Sequence, residues 1–423
     1  MKLVVTIYEE TFDAALAAVA ALHDADHDMI ELRAERFDAV DFAALRASTS
    51  KPIIATWRGR AVDDATLRAA LDAAIDFVDI EWGAEVNVPR DRVVLSHHDY
   101  AGMPDVAALA EEMGRFGCAH TKIAVTPQTL DDNFTLLRVL ADDAFAEHLT
   151  VIGMGERGLF SRILAPFRGS ALTFVAAAAS AAPGQLTLER ALAIYGSERE
   201  SLHATNVFAV AGNPAGHSLS PAIHNPLFRE KSADAAYTIA SFETFDEIAG
   251  AFTDGRIRGL SITAPFKESA FAFAQNAGAH IRHNAREAAS VNTLVRLRDG
   301  CIVADNTDVD GFAALIGAPK RAAIVGAGGT ARAALVALER AGAEVRVFNR
   351  SRREFPRETE PLEALGRFEG DLVINTLPSG AEVELPRGVR VMEAKYTGAA
   401  GSGYDLLRAQ AVRQNELFIE AIS

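Results

Sequence analysis

The sequence predicts an α/β protein with an N-terminal (β/α)8 barrel over residues 1–204 and a two-lobed α/β region after it. Eight short apolar runs alternate with helix-like segments in the first 180 residues. A second series of strands and helices begins near residue 204, and it contains a glycine-rich turn at 322–331. A chain of 423 residues also exceeds the roughly 100–200 residues of one domain, so we expect a fusion.

The predicted barrel strands are bounded by polar turns and cover residues 3–8, 29–34, 52–57, 77–81, 93–97, 120–125, 150–154 and 171–175. Helix-like segments include 11–23, 65–74, 105–116, 129–140 and 187–195. Barrel enzymes place their chemistry at the carboxyl ends of the strands. At or near these ends lie Glu31, Arg33, Arg58, Glu81, His97, His98, Lys122 and Met154. Because charged groups in apolar strands are costly unless paired or functional, we expect an active site at this rim.

Lys122 lies within the apolar run HTKIAV and is the candidate nucleophile of the barrel. Desolvation in a barrel interior disfavours an ammonium group and frees the amine to attack a ketone, which arginine could not do. His98 ends the preceding strand and is the candidate general base and acid. The alternative interpretations are a surface lysine and a structural histidine.

The composition predicts a globular protein that binds small molecules. Apolar residues make up 49% of the chain and charged residues 23%, and the net charge of −15 argues against nucleic acid. Cys118 and Cys301 lie far apart without metal-ligand spacing, which favours a reducing compartment and no metal. The chain opens on a strand-like run instead of a signal peptide, and its most apolar stretch, 170–182, is too short to span a membrane. We therefore expect a cytoplasmic protein without a membrane partner.

The glycine-rich turn AAIVGAGGTA follows one predicted strand and opens a helix, and another strand follows at 344–348. This arrangement is typical of a Rossmann dinucleotide-binding unit, because missing side chains let a pyrophosphate approach the helix N-terminus. The turn residues are Gly326, Ala327, Gly328, Gly329, Thr330 and Ala331.

The residues after that second strand are Asn349, Arg350, Ser351, Arg352 and Arg353. NAD-binding proteins usually carry an acidic residue there to hold the ribose hydroxyls, whereas arginine suits the 2′-phosphate of NADP. The sequence therefore predicts NADP(H) as the cofactor. The alternative interpretation is a solvated basic loop.

Four polar motifs precede the glycine turn: GNPAGHSLSPAIHN, SITAPFK, AASVNT and ADNTDVDGF. Their hydroxyl and amide groups suit a polyhydroxylated ring, because each buried substrate hydroxyl needs a hydrogen-bond partner. Lys267 and Asp308 are the strongly charged pair among them, and such a pair can move a proton while a hydride moves at carbon. Taken singly, such clusters are more often turns and caps.

The first 200 residues resemble type I 3-dehydroquinate dehydratase through ELRAERFD, TWR, LSHHDY, TKIAV, MGERGLFSR and APGQ, in this order. The resemblance implies a TIM barrel in which Lys122 forms an imine with the substrate ketone. It also implies that His98 takes a C2 proton and assists loss of the C1 hydroxyl as water. The positions that match substrate-binding residues are Glu31, Arg33, Arg58, Arg162 and Gln185.

Two departures from this family bear on the dehydratase site. The family usually has a glutamate soon after the Arg58 position, and that acid orients the catalytic histidine. Here the sequence reads RGRAVDD, and Asp63 is the candidate substitute. The family's serine before the Ala-Pro pair is replaced by Ala181, with Ser180 one position away.

Residues 206–423 resemble shikimate dehydrogenase. The resemblance implies substrate binding by Ser218, Ser220, Thr263, Lys267, Asn292, Asp308 and Gln410, with Lys267 and Asp308 catalytic. It implies a substrate lobe of residues 205–309 and 391–423, and an NADP-binding Rossmann lobe of residues 310–390 in which Thr376 faces the nicotinamide. The departure is a short Gly/Ala link, 397–403, where the family has a longer segment, and residues 351–371 are also abbreviated.

Together the resemblances predict two consecutive steps, dehydration of 3-dehydroquinate to 3-dehydroshikimate and its NADPH-dependent reduction to shikimate. One alternative is a quinate-responsive regulator built from the same domains, which would have lost Lys122 or Lys267, and both are present. A second alternative is a quinate dehydrogenase, whose usual NAD preference disagrees with the arginines after Asn349. A third is that one half has decayed, with the barrel the better candidate because it lacks the glutamate.

Overall fold

The computed structural model describes residues 1–85, 87–142, 147–177, 182, 184–351, 354–377, 381 and 383–423. The chain divides into two compact units, one comprising Met1–Thr205 with Asp234–Ser241 and the other Asn206–Ala233 with Phe242–Ser423. Of the helices in these ranges, none combines the length and the apolar character that crossing a lipid bilayer requires.

The first unit contains the eight strands that the sequence predicts, and their ends differ from the predicted ends by at most two residues. They are β1 (Lys2–Ile7), β2 (Met29–Arg33), β3 (Ile53–Thr56), β4 (Phe77–Glu81), β5 (Val93–Asp99), β6 (His120–Val125), β7 (Leu149–Gly153) and β8 (Leu172–Ala176). The helices are α1 (Phe12–Ala21), α2 (Phe42–Ala47), α3 (Asp64–Asp72), α4 (Val106–Gly114), α5 (Leu130–Arg138), α6 (Leu159–Leu164) and α7 (Leu188–Tyr195). Side chains that cap helix N-termini are Thr11, Asp41, Asp63, Asp105, Thr129 and Thr187.

The eight strands pair in parallel in the order β7-β6-β5-β4-β3-β2-β1-β8, which leaves β7 and β8 at the two ends of the sheet. Across this seam the Leu172 amide donates to Thr150 Oγ1 at 3.0 Å, and the Val151 amide donates to Ser170 Oγ at 3.4 Å. The prediction of a (β/α)8 barrel is confirmed, and the barrel is nearly closed. Between these two hydroxyl contacts the Ala171 amide also donates to the Leu149 carbonyl at 2.8 Å.

The barrel floor is apolar and its rim is polar for a simple geometric reason. Side chains two residues apart in a strand point to the same side of the sheet. The apolar floor cluster includes Val4, Met29, Ile54 and Val94. The residues two positions further along the same strands are Thr6, Glu31, Thr56 and Ser96. Each of these strands therefore carries one apolar layer and then one polar layer towards its carboxyl end.

The chain continues with β9 (Asn206–Gly212), β10 (Ala235–Ser241), β11 (Gly259–Ile262), β12 (His280–Ile281), β13 (Thr293–Arg296) and β14 (Ile302–Asp305). Its helices here are α8 (Ser220–Glu230), α9 (Asp246–Thr253), α10 (Lys267–Asn276), α11 (His283–Ala288) and α12 (Asp308–Ile316). Strands β9, β11, β13, β14 and β12 lie side by side in that order, and β13 is antiparallel to both of its neighbours. Strand β10 groups with the first unit.

A separate parallel sheet follows in the second unit. Its strands are β15 (Arg321–Val325), β16 (Glu344–Asn349), β17 (Thr359–Pro361), β18 (Leu372–Asn375) and β19 (Arg390–Glu393), in the order β17-β16-β15-β18-β19. Helix α13 (Gly329–Arg340) opens directly after the glycine turn, and α14 (Ser402–Ile422) ends the chain. The strand-turn-helix arrangement that the sequence predicts at residues 322–331 is confirmed.

Candidate active sites

Lys122 lies in the middle of β6 with 3% of its surface exposed. Its ammonium group donates to Asp79 Oδ2 at 2.6 Å, lies 3.7 Å from Glu31 Oε1 and sits 4.4 Å from the centre of the Phe174 ring. The sequence predicts burial of this lysine but not its pairing with Asp79. Lys122 was identified as a charged residue within an apolar strand. Asp79 has the same position in the strand FVDIE, so the same reasoning could have identified it.

Asp79 is the central acceptor of the barrel site. Besides Lys122, it accepts hydrogen bonds from Arg58 Nη2 at 2.7 Å and Ser96 Oγ at 2.6 Å. Burial alone would raise the pKa of Asp79, but the charges of Lys122 and Arg58 hold that pKa well below its usual range. The carboxylate therefore remains ionised between two buried cations.

His98, near the end of β5, is held by Glu81 at the end of β4. The His98 amide donates to Glu81 Oε1 at 2.8 Å, and Nδ1 lies 3.0 Å from Glu81 Oε2. Burial lowers the pKa of His98 despite the opposing effect of Glu81, so the imidazole is neutral at neutral pH. The prediction that Asp63 takes this role is wrong, because Asp63 is exposed and accepts from the Thr66 amide at 2.7 Å as the cap of α3.

The predicted substrate-binding residues of the barrel lie around Lys122. Glu31 accepts from Thr6 at 2.7 Å and from Thr56 at 3.0 Å. Gln185 Nε2 donates to Thr6 Oγ1 at 3.1 Å. The pocket that these contacts surround is lined by Glu31, Arg33, Arg58, His98, Tyr100, Lys122, Ala124, Ile152, Met154, Phe174, Arg162, Ala182 and Gln185. All seven residues predicted for this site therefore meet in one pocket, and Ser180 and Ala181 lie outside the described residues.

The three arginines of this pocket differ in their partners. Arg33 pairs with Glu35 at 2.6 Å, and Arg58 pairs with Asp79 and Glu81. Arg162 donates from Nε to the Gly153 carbonyl at 2.9 Å. Among the described residues, no carboxylate forms an ion pair with Arg162. Burial lowers the pKa of Arg162 to about 10, so this guanidinium stays charged at neutral pH.

The second unit brings Lys267 and Asp308 together at the first residues of α10 and α12. The Lys267 ammonium donates to Asp308 Oδ2, and it also donates to Thr330 Oγ1 at 2.9 Å. Asn292 Nδ2 donates to the other Asp308 oxygen at 2.9 Å, and it lies 3.4 Å from Gln410 Oε1. Five of the predicted site residues therefore form one network.

Two further residues of this network were not predicted. Thr307 Oγ1 donates to Gln410 Oε1 at 3.1 Å. Gln414, one helical turn after Gln410, donates from Nε2 to the Asn292 carbonyl at 3.0 Å and to Thr293 Oγ1 at 2.9 Å. The spacing of the two glutamines is the signal that could have found Gln414, because residues four apart share a helix face.

Ser218, Ser220 and Thr263 form other contacts of the second unit. Ser218 Oγ donates to Ser220 Oγ at 3.1 Å, and the intervening Leu219 amide donates to the hydroxyl of Tyr396 at 3.3 Å. Thr263 follows β11, and its methyl group would lie 2.3 Å from a Cβ added at Gly212. Among the described contacts, none joins the serine pair directly to Lys267.

Two glycines of the turn have no room for a side chain because neighbouring residues lie too close. Gly326 has φ +108°, and a Cβ there would lie 2.4 Å from Thr376 Oγ1. A Cβ at Gly329 would lie 2.8 Å from the Cβ of Lys267. Gly328 is the residue before α13, whose N-terminus has no side-chain cap. The turn thus brings the start of α13, which has no side-chain cap, against Lys267.

The predicted 2′-phosphate residues follow β16. Asn349 Nδ2 donates to the Ser351 carbonyl at 2.8 Å, and Arg350 and Ser351 are exposed. Arg353 and its neighbour Arg352 lie outside the described residues.

Comparison with known proteins identifies both halves. The family model of type I 3-dehydroquinase matches residues 3–201, and that of the shikimate dehydrogenase substrate-binding domain matches residues 210–294. The chloroplastic bifunctional 3-dehydroquinate dehydratase/shikimate dehydrogenase of Arabidopsis thaliana is 26% identical over 97% of this chain and 81% of its own length. Shikimate biosynthesis protein AroDE of Chlamydia pneumoniae is 31% identical over 70% of this chain, which spans 64% of that relative.

Among solved structures, shikimate 5-dehydrogenase of Thermus thermophilus, in complex with NADP(H) and shikimate, is 26% identical over 51% of this chain and 93% of its own, with a TM-score of 0.43. The two family models match residues 3–201 and 210–294, in the order that the bifunctional relatives share. The chain is therefore similar to bifunctional 3-dehydroquinate dehydratase/shikimate dehydrogenases, which join a lyase and an oxidoreductase of the shikimate pathway, and its first half matches the type I 3-dehydroquinase family.

Proposed function

We propose that the barrel dehydrates 3-dehydroquinate through an imine at Lys122 and that the second unit reduces the resulting 3-dehydroshikimate to shikimate with NADPH. The observation that carries the first step is the meeting of buried Lys122 with His98 and Arg162 in one pocket. A buried amine, a neutral imidazole and a cation are the groups that imine-linked dehydration of a ketone acid requires.

The dehydration follows from these positions. Lys122 passes one proton to His98, and the free amine attacks the ketone carbon. A carbon–nitrogen bond forms, and the carbonyl oxygen takes one proton from that nitrogen and one back from His98 and leaves as water. Asp79, 2.6 Å from the nitrogen, stabilises the positive charge of the protonated imine. His98 removes a proton from C2, and the electron pair moves into the imine to form an enamine. The enamine then expels the C1 hydroxyl, which takes a proton from His98 and leaves as water, and hydrolysis releases 3-dehydroshikimate.

Arg162 is the proposed partner of the substrate carboxylate. Arg33 and Arg58 already have carboxylate partners, whereas the described ion pairs give Arg162 none. A buried guanidinium without a counter-ion is costly, and a substrate carboxylate would offset that cost through charge-assisted hydrogen bonds. Glu31 and Gln185 are proposed to bind the ring hydroxyls.

In the second unit, Lys267 and Asp308 are the proposed catalytic pair. Bound NADPH supplies the hydride that the carbonyl carbon receives. The Lys267 ammonium, fixed by Asp308 and Thr330, donates the proton that turns the carbonyl oxygen into a hydroxyl. Asn292 and Gln410 are proposed to bind ring hydroxyls beside this pair, with Ser218, Ser220 and Thr263 as further substrate contacts.

The residues present fit NADP(H). The glycine turn and the uncapped N-terminus of α13 leave amides that suit a pyrophosphate, with Gly326, Ala327, Gly328, Gly329, Thr330 and Ala331 as the cradle. Exposed Arg350, with Asn349, Ser351 and Arg353, is proposed to bind the 2′-phosphate. Thr376, beside Gly326, is proposed to lie on the nicotinamide side.

We also propose that the second region consists of a substrate lobe, residues 205–309 and 391–423, and a cofactor lobe, residues 310–390. The two separate sheets support this division. Strand β19 (Arg390–Glu393) crosses the boundary at 390, so the cofactor lobe is better ended after Glu393. The two free cysteines, Cys118 and Cys301, support a cytoplasmic location.

The test supplies purified protein with 3-dehydroquinate and NADPH and no other enzyme, and follows the loss of NADPH. Oxidation is expected, because only dehydrated product can accept the hydride. A Lys122→Arg variant is expected to lose this coupled reaction while still oxidising NADPH with added 3-dehydroshikimate. Inactivity of the unaltered protein with both substrates would contradict the proposal and favour the regulator.

A further inference from the structure

Glu81 contacts His98, the proposed base, at two places. These contacts fix both the backbone and the imidazole ring of His98. One carboxylate oxygen accepts from the His98 amide at 2.8 Å, and the other lies 3.0 Å from Nδ1. The register explains this closeness, because Glu81 on β4 pairs with Ser96 on β5, two residues before His98. The contact is therefore set by the barrel sheet and does not depend on a flexible loop.

We propose that Glu81 is the positioning residue for His98, in the role that the family resemblance gives to an acid soon after Arg58. That acid is absent from RGRAVDD, and Asp63 is occupied as the cap of α3. The inference deepens the proposed dehydration and rests on it.

The charges around Glu81 keep it in the form that this role requires. Burial alone would raise the pKa of Glu81, but its hydrogen bond and charge interaction with His98, and the charge of Arg58, lower it. Glu81 is therefore a carboxylate at neutral pH, and it can only accept at Nδ1. The Nδ1 atom must carry the proton, which leaves Nε2 with the lone pair that a base needs.

Glu81 also connects His98 to Arg58, because the same Oε2 atom accepts from Arg58 Nη1. The charged and titratable groups that face His98 are Glu81, Arg58, Lys122, Asp79 and the ring of Tyr100. Of these, Glu81 forms the direct hydrogen bond to the imidazole and raises its pKa, whereas Lys122 and Arg58 lower it.

The test compares Glu81→Ala, Glu81→Gln and Glu81→Asp in the full chain, with Asp63→Asn as the matched control. Asparagine caps helices as well as aspartate does, so the control keeps α3 intact. For each variant, kcat and KM for 3-dehydroquinate are measured across pH. Borohydride trapping of the imine at Lys122 and NADPH oxidation with 3-dehydroshikimate show that both sites remain formed.

For Glu81→Ala, kcat is expected to fall by about a hundredfold, the usual scale of general base catalysis, with little change in KM and with imine trapping retained. The acid limb of kcat/KM should move to lower pH, because the group that raises the pKa of His98 is gone. Glu81→Asp should recover part of the rate, and Asp63→Asn should match the unaltered protein.

An unchanged kcat in Glu81→Ala, an unmoved acid limb, or an equal loss in Asp63→Asn would overturn the role of Glu81 while leaving the dehydratase proposal intact. Loss of imine trapping along with kcat would also overturn it, because that result places the defect at Lys122. Failure of the unaltered protein to form product would overturn the dehydratase proposal itself, and this inference with it.

Discussion

Replacing Asp79 by asparagine removes the carboxylate that lies between two buried cations. The side chain of Asp79 is 1% exposed, and it accepts from Lys122 at 2.6 Å and Arg58 at 2.7 Å. Asparagine keeps one acceptor oxygen but turns an NH2 group towards one of these donors. The variant therefore leaves buried positive charge without compensation.

Breaking a buried ion pair by removing one partner costs about 3–5 kcal/mol. With a urea dependence of about 2 kcal/mol per M, the midpoint of barrel unfolding should fall by roughly 1.5–2.5 M. The two tryptophans of the chain, Trp57 and Trp82, both lie in the first unit, so tryptophan fluorescence follows that unit alone. Asp63→Asn makes the same chemical change at an exposed cap and should shift the free energy of unfolding by less than about 0.5 kcal/mol.

The difference in the free energy of unfolding between the unaltered protein and Asp79→Asn should also depend on pH, and it should decrease only in acid. The pKa of Asp79 is lowered in the folded state, so its stabilising effect is present above the unfolded pKa of about 3.9 and is lost as pH falls towards the folded value. The stability gap should be constant from about pH 5 to 8 and narrow below about pH 4. A midpoint within error of the unaltered protein, or a gap that widens in acid, would refute the ion-pair assignment.

Three further predictions concern the second unit. Gly329→Ala should lower NADPH-dependent turnover by at least about tenfold and spare dehydration, because its Cβ would lie 2.8 Å from that of Lys267. Thr330→Val should lower kcat for 3-dehydroshikimate reduction by about tenfold, because Lys267 loses its hydrogen bond of 2.9 Å to the threonine hydroxyl. Thr330→Ser keeps a hydroxyl and should restore kcat, and equal rates in the two variants would contradict this reasoning. Arg350→Ala should raise KM for NADPH by roughly tenfold and leave KM for NADH unchanged, and a parallel rise in both would favour the solvated-loop interpretation.

The strand–helix pattern and the residues at strand ends were predictable because they depend on local periodicity. Lys122 was found because a charge inside an apolar strand is conspicuous. The partner of His98 was not found from the sequence. Position along the chain suggested Asp63, five residues after Arg58, whereas the pairing of Glu81 with Ser96 brings Glu81 into contact with His98. Contacts between neighbouring strands depend on register, which the sequence does not express as spacing.

In the second unit, Gln410 could be identified from the sequence, whereas the role of Thr307 could not. Gln410 was predicted by the family resemblance, and the structure brings it to Asn292. Thr307 lies beside Asp308 in the sequence, but its contact with Gln410 joins residues 103 positions apart. Such a contact requires the packing of α14 to be known.

The seam between β7 and β8 makes closure of the barrel depend on individual side chains. Backbone ladders survive almost any substitution except proline, because every other residue type carries the same amide and carbonyl. At the seam, by contrast, one backbone hydrogen bond, from the Ala171 amide to the Leu149 carbonyl, stands beside two amide bonds whose acceptors are the hydroxyl oxygens of Thr150 and Ser170. A substitution that removes either hydroxyl therefore weakens this seam, whereas the other seven strand pairings keep their backbone hydrogen bonds after any substitution other than proline.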